Sequence, residues 1–350
     1  MAHTPPAQVA SRRAGASLFR FVWVVPLAAA VYLSVNVAVE PHVGPVIERI
    51  ATEYANGIRQ APEFADYTPS ALFGPSMPSY TPDMEEWRHW MYRGVESLLM
   101  VSGLAVLACG IAGGLFRRWM LLTLFLLLVH AVNTAVESTF FIETFSGPLH
   151  LVLGLLPAAL LSSLVLAIGL WPASGLGNGL KSAGEGRPVV GRLLIVWAGF
   201  IFAYWVGGMI LSTQMPLLRE TYNNPDNPVT IPPPEVILAV QCVRSLIFLI
   251  PTVAVIERWA GGRVSLLLAL FWAHWTLVGL APLVTPNTLF PLELQIGHIL
   301  EIGFDSLLYA AIAVLALAAP RRSAREPRTA AGRASAPASI TPSQRIQRPI

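Results

Sequence analysis

Eight stretches of this chain are apolar for about twenty residues or more, and that property limits what the chain can become more than any other. Approximately, they cover residues 18–39, 92–114, 118–142, 148–172, 191–212, 234–256, 262–284 and 294–319. A helix of about 20 residues crosses the roughly 30 Å hydrocarbon core of a bilayer. Apolar residues make up 54% of the chain and charged residues 12%, about half the charged share of a globular protein. No soluble core could hide so much apolar surface, so lipid is the expected solvent. In lipid every backbone N–H and C=O has to be satisfied within its own segment, which favours helices. The expectation is an all-α integral membrane protein with eight transmembrane helices.

Orientation follows from the basic residues. The segment before the first run, the loops near Arg117, Lys181 and Arg258, and the C-terminal tail hold 17 of the 23 Lys and Arg. The alternate loops hold five: Arg49, Arg59, Arg88, Arg93 and Arg219. Arg244 is the one left over, well inside a run. This bias puts both termini in the cytoplasm, as an even number of spans requires. Ser11-Arg12-Arg13 before an apolar run has the outline of a twin-arginine signal. However, Ala14-Gly15-Ala16 lacks the bulky apolar position, and no small-x-small cleavage site closes the run. A basic anchor for a cytoplasmic N-terminus is the better reading.

The expected organisation has a disordered cytoplasmic N-terminus over 1–17 and a first four-span unit over 18–172, with a long outer loop at 40–91. A cytoplasmic linker over 173–190, a second four-span unit over 191–319, and a disordered basic tail over 320–350 follow. In the outer loop Val46, Ile47, Ile50, Tyr54 and Ile58 have helical spacing opposite Glu48, Arg49 and Glu53, which predicts a short amphipathic helix on the membrane surface. A second, Pro-rich outer loop is expected over 213–233. The net charge of +3 sits mostly in loops and tails and leaves no nucleic-acid footprint. Cys109 and Cys242 lie in different runs, so no structural disulfide is expected.

The two halves resemble each other in collinear order. Trp23 has a counterpart in Trp197, and Glu53-Tyr54 in Thr221-Tyr222. Val95-Glu96-Ser97-Leu98-Leu99 matches Val243-Arg244-Ser245-Leu246-Ile247. Arg118 with His130 matches Arg263 with His274, and Gly147 with His150 matches Gly297 with His298. Four spans per unit is an even number, so the two would be parallel repeats about a pseudo-two-fold along the membrane normal.

Ionisable groups inside a membrane are costly and mark candidate sites. The eighth run carries His298, Glu301 and Asp305 on one helical face, at i, i+3 and i+7. The third carries His130, Asn133 and Glu137 with the same spacing. The two runs cross in opposite senses, so His130 falls at the depth of Asp305, and Glu137 at the depth of His298. If the helices face each other, each level brings a histidine beside a carboxylate. That set, with Tyr309 extending it inward, is the expected substrate- or proton-binding site. Glu96 and Arg244 occupy matched positions with opposite charge and are expected to pair as a structural or gating pair. The polar groups gather in the outer half of the membrane and predict a cavity open to the outside, with plain inner halves.

A small transporter or permease fits this best. The alternatives are a membrane-embedded enzyme or redox protein acting on a lipid or quinone, and a structural or assembly subunit whose polar network only locks helices. No catalytic residue is assigned, because no Walker loop, dinucleotide fingerprint, zincin motif or nucleophile elbow is present. No cofactor is expected either. Bis-histidine haem ligation by pairs drawn from His130, His150, His274 and His298, or a metal at His298 and Glu301, is the less favoured alternative. The expected partners are the lipid bilayer and a small solute or proton.

Overall fold

The computed structural model describes residues 20–39, 41–43, 45, 85–141, 148–170, 189–223, 231–286 and 291–318. They form an all-helical protein with eight helices long and apolar enough to cross a membrane. These are α1 (Arg20–Val43), α2 (Glu86–Gly110), α3 (Leu115–Phe141), α4 (Pro148–Gly169), α5 (Val189–Gln214), α6 (Pro234–Arg258), α7 (Arg263–Val284) and α8 (Leu292–Leu317). Large apolar side chains such as Trp23, Phe116, Val264 and Leu315 are exposed around them, a surface that suits lipid and not water.

Helix ends follow local chemistry. Pro148 and Pro234 stand first in α4 and α6, where proline's missing N–H costs nothing. Glu86, Glu235 and Glu293 occupy the first turns of α2, α6 and α8, complementing the positive end of the helix dipole. α2 starts at Glu86 instead of near 92, which shortens the expected outer loop. The expected loop over 213–233 holds a short helix, Pro216–Asn223, again opened by proline. The expected amphipathic stretch from Val46 to Ile58, the N-terminal 1–17 and the tail over 320–350 lie outside the described residues. So does the linker over 173–190, apart from its last two residues.

Two groups of helices meet along a shared core. α8 packs mainly against α5 and α7, α5 also against α6, and α3 against α4. The groups join where α2 packs on α7 and α3 on α6. At one end the α2–α3 and α6–α7 corners are tied together. Ile111 and Trp259 form an antiparallel bridge. The Ala112 amide donates to the Arg258 carbonyl at 2.8 Å, and the Ala260 amide to the Gly110 carbonyl at 2.9 Å. Both corners read Ala-Gly-Gly, and Gly113 takes a φ of +129° that a side chain would strain.

The same end, expected to be the inner one, is not free of buried polar groups. Arg118 is fully buried. Its guanidinium donates to the carbonyls of Ala108 at 2.8 Å, Ala167 at 2.9 Å and Leu170 at 2.7 Å. Arg263 donates to the carbonyl of Ala318. The cations thus satisfy carbonyls left over at the ends of spans, α2 and α4 for Arg118 and α8 for Arg263, where the dipole also favours positive charge.

α3 and α7 each contain a π-helical segment midway, Leu127–Val132 and Thr276–Leu280. Such segments widen a helix locally and free carbonyls from the regular ladder. The Nδ1–H of His130, in the first, donates to the Leu277 carbonyl of the second at 2.9 Å.

Candidate functional site

A cavity of about 260 Å³ lies among α3, α5, α6, α7 and α8. It sits toward the end opposite the tied corners, where α3 and α7 finish and α8 begins. α8 supplies His298, Glu301 and Asp305 on one face, as 3.6-residue periodicity requires, and α3 supplies Glu137 on the other side. Phe141, Phe200, Tyr204 and Phe248 make much of the remaining wall.

Arg244 crosses from α6 to α3 with only 5% of its side chain exposed. Its Nε donates to Asn133 Oδ1 at 2.8 Å, and a terminal nitrogen lies 3.2 Å from Glu137 Oε2 and pairs with it. A further bond reaches Gln241 Oε1 at 3.3 Å. The guanidinium also lies 5.9 Å and 5.7 Å from the ring centroids of Phe200 and Tyr204, within cation–π range. Glu137 keeps 40% of its side chain exposed, so the cavity is not sealed.

The expected pairing of Glu96 with Arg244 does not form. Glu96 instead pairs with Arg93, one turn earlier on α2, at 3.5 Å. The reason is the helix pairing: α6 lies on α3 while α2 lies on α7, so each charge takes the partner its own neighbours offer.

On α8 the histidine meets its carboxylate along the same helix. The Nδ1–H of His298 donates to Glu301 Oε2 at 2.9 Å. The expected cross-helix pairs of histidine with carboxylate are therefore replaced by one pair within a single turn. Asp305 sits deeper. Its Oδ1 is buried and accepts no hydrogen bond from a described residue. It lies directly against Gly207 of α5, where a Cβ would come within 2.2 Å of it. A Cβ on the adjacent Gly208 would lie 3.5 Å from Glu301 Oε1. The Gly207-Gly208 pair is what lets α5 approach the carboxylates of α8.

Three expected site residues lie outside the cavity. His130 is occupied by the Leu277 carbonyl. Asn133 holds Arg244 from behind. Tyr309 is buried beneath the cavity floor, its ring 5.4 Å from Phe200, 6.0 Å from Phe248 and 5.3 Å from His274. His274 is enclosed by Phe125, Phe248 and Tyr309 and hydrogen-bonds Thr252 at 3.3 Å. Among the described residues no three or more His, Cys, Asp and Glu side chains are grouped to hold a metal ion. Cys109 and Cys242 are free thiols.

No protein-family model, curated protein or solved structure matches this chain. Function is read here from the cavity's own chemistry.

Sequence reasoning missed the aromatic wall of Phe200, Tyr204 and Phe248. The adjacent glycines Gly207-Gly208 mark a close approach by another helix, which signals the contact of α5 with α8 but not the aromatic side chains.

Proposed function

We propose that the protein is a small permease of the cell membrane, built as two parallel four-span repeats with both termini cytoplasmic. It binds a small solute or a proton in an outward-facing cavity. The observation that carries this reading is the cavity itself. It gathers Glu137, Arg244, His298, Glu301 and Asp305 inside a bundle of apolar helices, where ionisable groups are expensive unless they serve a pathway.

Helix-locking contacts and one uncommitted carboxylate oxygen coexist in the polar set. His130, Asn133 and Arg244 spend their polar atoms on protein groups, whereas Asp305 keeps a buried oxygen without one. The repeat reading draws support from α2 and α6, both 25 residues long, and from the reciprocal Ala112 and Ala260 hydrogen bonds. Packing of α2 on α7 and of α3 on α6 also agrees with a two-fold exchange of repeats. The outward direction rests on the basic residues, which concentrate at the corner end, away from the cavity.

The test is uptake into proteoliposomes or intact cells with Glu301→Ala and Asp305→Ala combined. Loss of at least about tenfold in rate is expected for removing two charged groups from the path. Flux at the wild-type rate sinks the permease reading. A double variant that elutes from size exclusion as the wild type does is the control.

A further inference from the structure

We infer that the ligand of this cavity is an organic cation, a protonated amine carrying an apolar body, with its ammonium group on Asp305. The inference rests on the permease reading and names the solute class that such a permease would carry.

The charges decide it. The ionisable side chains that line the cavity are three carboxylates, Glu137, Glu301 and Asp305, with one guanidinium, Arg244, and one imidazole, His298. Arg244 is committed to Glu137 and Asn133, and the Nδ1–H of His298 to Glu301. Among the described residues Asp305 forms no ion pair within 4 Å, and its buried Oδ1 accepts no hydrogen bond. The remaining lining is neutral. An incoming ammonium group supplies both the missing charge and the missing donors. An anion meets a surplus of carboxylate and finds the only guanidinium already engaged.

Size and lining exclude the simpler cations. A bare metal ion needs roughly six oxygen ligands at close range, and among the described residues no three or more His, Cys, Asp and Glu side chains are grouped to supply them. A proton needs no chamber. The volume of about 260 Å³ approaches the roughly 300 Å³ lower bound of small-molecule pockets. Phe141, Phe200 and Phe248 give it apolar and π-electron surface for a hydrocarbon body, as expected of a cation site.

Three probes of one shape test this on the purified, full-length protein: phenethylammonium, 2-phenylethanol and phenylacetate. Binding is read by titration calorimetry and by ligand-induced thermal stabilisation. The cation is expected to bind at least about tenfold tighter than the alcohol or the anion, the scale of one buried charge contact. Asp305→Asn should erase that preference. Equal or tighter binding of phenylacetate, or binding of none of the three, overturns the inference, and the wild-type series alone decides this if the variant fails to fold. Unaltered cation binding by a folded D305N overturns it as well.

Vesicle uptake of the same probes separates the two readings. Asp305-dependent binding without uptake upholds the ligand class and removes the permease. Uptake of phenylacetate that excludes phenethylammonium does the reverse.

Discussion

At the scale of single residues the polar set divides into groups that lock and one group left to bind. Arg244 belongs to the first. Replacing it by Met leaves Asn133 and part of Glu137 without partners and is expected to lower stability by about 2 kcal/mol. Thermal unfolding in detergent measures this. The coupling between Arg244→Met and Glu137→Gln in a double-mutant cycle should be only about 1 kcal/mol, because Glu137 keeps 40% of its side chain exposed. A much larger coupling would mean that the pair is sealed from solvent. His130→Ala should cost about 1–2 kcal/mol, since the Leu277 carbonyl loses its donor, and should leave probe binding unchanged. The sequence displayed His298, Glu301 and Asp305 as one face because spacing along a helix is a local property. It mispaired Glu96 with Arg244 because pairing depends on which helices touch, and similarity between halves carries no distances.

At the scale of elements, close approach governs. Gly110 ends α2 under the Trp259 ring, where a Cβ would fall 2.1 Å from the indole, and Trp259 is buried and cannot swing away. Gly110→Ala is expected to destabilise by about 1–3 kcal/mol. Gly154→Ala in α4, with nothing near its Cβ position, should be neutral or slightly stabilising. Comparable melting temperatures for the two variants would show that the corner yields easily. The spans themselves were legible to within a few residues, because length and apolarity dominate in a lipid-solvated helix. The two π segments were not, since Leu127–Val132 and Thr276–Leu280 have no compositional mark. Arg118 was legible as a basic residue and as the counterpart of Arg263, but not as a buried one, because its carbonyl partners come from two other helices.

At the scale of the whole molecule the proposed orientation makes a direct prediction. With Cys109 and Cys242 replaced by Ser, single cysteines placed at 60–80 should react with a membrane-impermeant maleimide in intact cells. Cysteines at 173–187 should react only after permeabilisation. The opposite pattern reverses the cavity and the direction of the proposed permease. The bridge between the Ala112 and Ala260 corners bears on movement too. It pins the two helix groups together at one end of the bundle, while the hollow lies at the other. The same two groups are also fastened farther along, by His130 on the Leu277 carbonyl and by Arg244 on Asn133 and Glu137. Rotation about the bridge would therefore have to break the Arg244 fastening before the hollow could widen around Glu137.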